Sequence, residues 1–167
     1  MQFGSEMLGR SDNAFTSLHD ECTVLEAPTL VKAQDLMAFW KAHEKDGIVI
    51  GRDIPSRAIA GLLSSLMIYE PMSGDGDFRV RHAGTSFQQR FGMEITGKRM
   101  SELFPPEDFR DHAEGLRGVL KSGRPLVLGS RVSAGVVEKM HLEIVVLPVF
   151  APNRVDKWAL VGIFYFR

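Results

Sequence analysis

Two stretches near the C-terminus leave few choices of fold. Around 138–150 and 157–166 the side chains are apolar in both registers of an extended chain. Met140, Leu142, Ile144 and Val146 alternate with Val145, Leu147 and Val149, and Trp158, Leu160 and Phe164 oppose Val161, Ile163 and Tyr165. Strands of this kind leave neither face to water, so the sheet they build needs one layer above it and another below. Pro152-Asn153 between them marks the turn of a hairpin. A third strand over about 125–133 precedes them, with Gly135 at its turn.

The upstream chain supplies the covering layers. Residues 107–121 repeat with helical period: Phe109, His112, Ala113, Leu116, Val119 and Leu120 fall in one arc, and Arg110, Asp111, Glu114, Arg117 and Lys121 lie outside it. Pro105-Pro106 opens that helix and Gly123 closes it. Within 77–82, Phe78, Val80 and His82 alternate with Arg79 and Arg81, the pattern of a half-buried strand. Leu66 to Glu70 reads as its hairpin partner across the turn-dense 71–77. Phe87 and Phe91, four apart, share a face of a helical turn. Residues 31–45 carry a broad apolar stripe of Val31, Leu36, Met37, Phe39, Trp40 and His43, closed by Asp46-Gly47. The stripe is too bulky to face water. Residues 1–30 show no sustained period and read as a tail. The expected organisation is a tail over 1–30, an amphipathic helix over 31–47 and one domain over 48–167.

Composition narrows the class. The chain has 167 residues, 44% of them hydrophobic, and a formal charge of −1. That length suits one domain with its own core. The balanced charge gives no reason to expect nucleic acid, and no apolar run is long enough for a membrane span. The single Cys22 forms no internal disulfide and fits a reducing compartment, so a cytoplasmic protein is expected.

In order, the elements are strand, strand, short helices, long helix and three strands. That is an α+β arrangement of five antiparallel strands with helices on one face, and it resembles a PAS domain. The local wording is similar to a bacterial PAS subfamily: Asp53-Ile54-Pro55, Ile59 with Leu62-Leu63, Asp77-Phe78-Arg79, Arg81 with Ala83-Gly84-Thr85, Phe91-Gly92 and Thr96-Gly97-Lys98. His82 departs from it, standing where an apolar residue is expected. The resemblance spans about 36–166 and implies signalling, through a small molecule held between sheet and helices or through another protein on the sheet's outer face. No kinase, cyclase or DNA-binding segment is recognisable. A signal is therefore expected to leave through a partner such as a sensor histidine kinase.

The residues expected to line a pocket are Phe78, Val80, His82, Phe87, Phe91, Met100, Phe109, His112, Leu116, Leu142 and Ile144, with Phe104 beside them. They form either a filled core or a cavity, since packing density is not written in residue types. His82 and His112 are the sharper pair: an inward imidazole suits axial ligation of haem iron or a polar contact to an organic ligand. The competing account is a pair of hydrogen-bonded core histidines. A flavin photoadduct needs a cysteine in 84–100, where there is none. The outer face of the sheet is left for the 31–45 helix, a second subunit or both, and a homodimer is expected through Leu36, Phe39, Trp40, Trp158 and Leu160.

Other motifs have plainer explanations. Residues 92–99 resemble a phosphate loop but carry Arg99 where it needs Ser or Thr. Asp75-Gly76-Asp77 lacks the twelve-residue calcium pattern and reads as a turn. No nucleophile sits in an elbow motif and no paired inward carboxylates are apparent, so catalysis by a small hydrolase is the remote alternative. No metal site is expected.

Overall fold

The computed structural model describes residues 22–134 and 138–166. Its elements are β1 (Thr23–Leu25), α1 (Val31–Ala42), a 3-10 helix (Arg57–Ser65), β2 (Leu66–Pro71), β3 (Phe78–Ala83), α2 (Thr85–Phe91), α3 (Met100–Leu103), α4 (Pro106–Ser122), β4 (Leu126–Ala134), β5 (Glu138–Phe150) and β6 (Lys157–Phe166). The strands form one antiparallel sheet in the order β1-β4-β5-β6-β2-β3. Val80 and Leu142 lie on the same face of it.

The sheet has six strands rather than the expected five. The sixth, Thr23–Leu25, pairs with Gly129, Leu128 and Val127 at the β4 edge. It falls in the stretch expected to be a tail. Three residues are too few to show a period, so nothing in the sequence separates such a strand from a loop. Residues 1–21 of that expected tail lie outside the described residues.

Both faces of β5 and β6 are buried, as the double alternation requires. Leu142, Ile144, Val146, Val161 and Ile163 pack under α2, α3 and α4 in an inner core. Val145, Leu147, Val149, Leu160 and Phe164 pack under α1 and the 48–62 segment in an outer core. The internal helices cover one face, and the N-terminal helix, one of the covers expected for it, covers the other. The outer cover is the chain's own: Leu36 and Leu160 are fully buried, Trp40 and Trp158 nearly so, and Phe39 is half-buried against His43. The side chains expected at a dimer contact thus pack within the chain, with Phe39 the more exposed among them. Gly162 shows how closely α1 lies on β6, because a side-chain carbon there would come within 2.7 Å of Leu36 Cδ2. The Trp40 indole also donates to the Pro148 carbonyl at 3.1 Å.

One charge sits in the outer layer. Glu143 has no exposure. Its carboxylate accepts from the backbone N–H groups of Thr29 and Leu30, each 2.9 Å from Oε1, and from the Thr29 hydroxyl; His141 lies 3.4 Å away. These donors stand at the entry to α1, so the carboxylate fills the capping role that Leu30 lacks a side chain to perform. Burial pushes the Glu143 pKa up, but the hydrogen bonds from Leu30, Thr29 and His141 outweigh it, and the net displacement is downward.

A depressed folded-state pKa stabilises above the ordinary carboxylate range and is lost as pH falls through the folded value. Trp40 and Trp158, the chain's two tryptophans, both report on the outer layer. Tryptophan fluorescence should therefore shift on acidification below about pH 4. Glu143→Gln should be less stable at neutral pH by about 1–3 kcal/mol in urea melts and show a flatter acid limb; an unchanged acid limb would count against the clasp. Leu36→Ala should cost about 2–5 kcal/mol in the same melts.

Candidate functional site

The inner core is not solid. A cavity of about 280 Å³ lies between the sheet and α4, walled by Met67, Tyr69, Ile144, Val146, Val161 and Ile163 from β2, β5 and β6. Leu126 and Leu128 close it from β4; Met100 and Phe104 close it from α3 and the residue after it. Asp111, His112, Gly115 and Leu116 contribute from α4, and Cys22 from just before β1. Asp111 is exposed and Cys22 half-buried, so these mark the solvent end; Met67, Tyr69, Met100 and Leu116 are all buried.

Local sequence explains how the walls are held. Pro106 opens α4, Glu107 and Asp108 occupy its first turn where the helix dipole favours acids, and Gly123 caps it in the left-handed conformation. α3 is pinned by Asp77. Its carboxylate accepts from the Ser101 hydroxyl at 2.6 Å and from the Phe78 N–H at 2.7 Å, which sets Met100 inward. The Ala83-Gly84-Thr85 step has a steric cause. A side-chain carbon on Gly84 would lie 2.3 Å from the Ser64 carbonyl oxygen, where β3 hands over to α2 against the 3-10 helix.

The structure divides the expected pocket residues. Met100, His112, Leu116 and Ile144 line the cavity, and Phe104 with them. Phe78, Val80, Phe87, Phe91 and Leu142 are buried in the surrounding core without lining it, and Phe109 packs against its margin. His82 is a correction. Tyr69 pairs with Val80 and Ile68 with His82, so Arg81 is an extra residue on β3. Such a bulge breaks the two-residue alternation. Arg81 and His82 are both exposed and Ala83 returns to the core. Arg81 lies over the Trp158 ring at 5.3 Å and near Glu70 at 3.6 Å. Of the two histidines offered as ligands, only His112 remains at the cavity, its ring edge-on to Phe104 at 4.8 Å. Phe91 stacks edge-on with Phe104 in turn, at 6.1 Å.

Several lining residues were not foreseen. Met67 and Tyr69 lie in LMIYE, where neighbouring residues are also apolar and periodicity cannot tell the two faces apart. Val146, Val161 and Ile163 were legible as one face of β5 and β6, but not as cavity wall. Cys22 and Asp111 carry no signal in sequence, since only the tertiary fold brings them to the rim. Burial drives the Tyr69 hydroxyl's pKa well above its usual range, and the nearby Asp77 charge adds to this, so the group remains a donor. Burial likewise raises the Cys22 pKa, keeping the thiol protonated at neutral pH.

The phosphate-loop lookalike serves the sheet. Gly97 N–H donates to the Val80 carbonyl and Val80 N–H to the Lys98 carbonyl, so 97–98 strap the outer edge of β3. Asp75 binds the Asp77 N–H and Arg99 in the preceding turn. Among the described residues no cluster of His, Cys, Asp or Glu is placed to hold a metal ion, and no helix is long and apolar enough to cross a membrane.

A family profile described as PAS domain matches residues 29–164. No curated protein matches the chain.

Two substitutions should separate cavity from surface. His82→Ala should leave the melting temperature and any ligand affinity unchanged, within about 0.5 kcal/mol of stability. Phe104→Ala, at the cavity wall, should cost about 3–5 kcal/mol. Comparable losses for both in thermal melts would mean the bulge does not turn His82 outward.

Proposed function

The chain belongs to the PAS-domain family, and we propose that this sensory module regulates a signalling partner by direct contact, with a small molecule in the sheet–helix cavity modulating that contact. A sensor histidine kinase is the partner class this reading favours. The observation that carries it is the cavity itself. A pocket of about 280 Å³, walled mainly by apolar side chains and open to solvent at one end, leaves part of the inner core without close-packed neighbours, and a resident apolar ligand supplies those contacts. Its walls come from four strands and from α3 and α4, so an occupant touches both layers at once. A ligand that prefers one arrangement of α4 on the sheet shifts the population by that difference in affinity.

The outer face supports a constraint on the partner surface. Because α1 already covers Leu147, Val149 and Leu160, a partner or second copy meets the outside of α1 and the sheet margins rather than the apolar strands beneath.

Affinity capture from native lysate tests this, using the full chain and a cavity-filling Val146→Phe variant. A kinase that co-purifies in amounts altered by the filling substitution is the expected result. Recovery of only the chain itself, in both forms, would overturn the regulatory reading. Native mass and a visible spectrum of the same sample identify any retained ligand.

A further inference from the structure

The cavity's size and lining define a ligand chemistry more narrowly than membership of the family does. An apolar cavity of about 150 Å³ accepts one benzene ring. This one, at about 280 Å³, is nearly twice that. Its lining includes no lysine or arginine among the described residues. A carboxylate or phosphate moved there from water would lose several kcal/mol of solvation without a strong cation to compensate. His112 is the one lining side chain that can carry positive charge, and the adjacent Asp111 places a carboxylate at the same rim. Among the buried lining residues Tyr69 carries the one hydroxyl, on a wall shared with Met67, Ile144, Val161 and Ile163.

Resting on the sensory reading above, we propose that the ligand is an uncharged, mainly apolar molecule about two fused rings in size, bearing one carbonyl or hydroxyl oxygen that accepts a hydrogen bond from Tyr69. The apolar body replaces the missing contacts of the walls. The single oxygen gives orientation, because a neutral acceptor meets a neutral donor without either carrying buried charge. Such a molecule enters at the Cys22–Asp111–Gly115 rim, where the helix carries no side chain at Gly115. The binding is non-covalent: no bond is made or broken.

Cys22 supplies the readout. It is the only cysteine of the chain and it lines the cavity, so occupancy slows its reaction with a thiol reagent. The probes are 2-acetonaphthone, which has an acceptor; 2-ethylnaphthalene, which has none; and 2-naphthoate, which is charged at pH 7. Each is titrated against the full chain, following Cys22 labelling rate and melting temperature. The ketone should protect Cys22 and raise the melting temperature at the lowest concentration, with naphthoate at least 10-fold weaker. Tyr69→Phe should remove the preference for ketone over hydrocarbon, a change of about 5–10-fold. Val146→Phe should abolish protection by all three; Gly115→Ala, which adds only a methyl group 3.6 Å from Leu126, should weaken it while keeping the fold.

Naphthoate binding as tightly as the ketone would overturn the ligand class and leave ligand sensing intact. A ketone preference that survives in Tyr69→Phe would overturn the role of Tyr69. Protection by none of the probes would overturn the proposal entirely. The regulatory reading would then stand or fall on whether partner capture responds to Val146→Phe, which needs no added ligand.

Discussion

The double-sided burial of β5 and β6 governs this molecule. A strand apolar on one face can end a domain; a strand apolar on both must lie in the middle of one. Leu142, Ile144 and Val146 commit the chain to an inner layer of helices, and Val145, Leu147 and Val149 to an outer one. Everything else is arranged to meet that demand. α4 arrives on one side, α1 and the 48–62 segment arrive on the other, and the short helices α2 and α3 fill the remaining inner surface.

The outer layer is attached by a different kind of force. Apolar contact between α1 and the sheet is non-directional, and a smooth helix could settle in several positions. Glu143 removes that freedom. A buried carboxylate is costly unless it is fully hydrogen-bonded, and the donors that satisfy it belong to the two residues before α1. The notch at Gly162, into which Leu36 fits, adds a steric register. Because β5 carries Ile144 toward the cavity and Val145 with Glu143 toward α1, the two layers share one backbone. A change in packing on one side is felt on the other, since close-packed interiors transmit strain. This gives the inner cavity a physical connection to the surface that α1 presents.

Much of the architecture was legible beforehand, and for identifiable reasons. The long helix announced itself through Pro106, an apolar arc and Gly123. The last strands did so through alternation sustained over ten residues or more. His82 faces outward where alternation alone places it inward, because one inserted residue in β3 reverses the side chains beyond it. β1 was missed because a three-residue strand has no period to detect. The outer-face residues Leu36, Trp40, Trp158 and Leu160 are too apolar to face water, and they are buried. Nothing in their pattern distinguishes a cover folded back from the same chain from one supplied by another.

Sequence alone determined the layered α+β plan, the helical and extended segments and the apolar faces, because these depend on periodicities of 3.6 and 2 that short windows express. Only the tertiary structure decided whether the inner core is filled or hollow, which residues form its rim, and that Glu143 caps α1 across more than a hundred residues of chain. Those features depend on distances between segments remote in sequence, and on volumes left over once the side chains have packed. Neither quantity is a property of any local stretch.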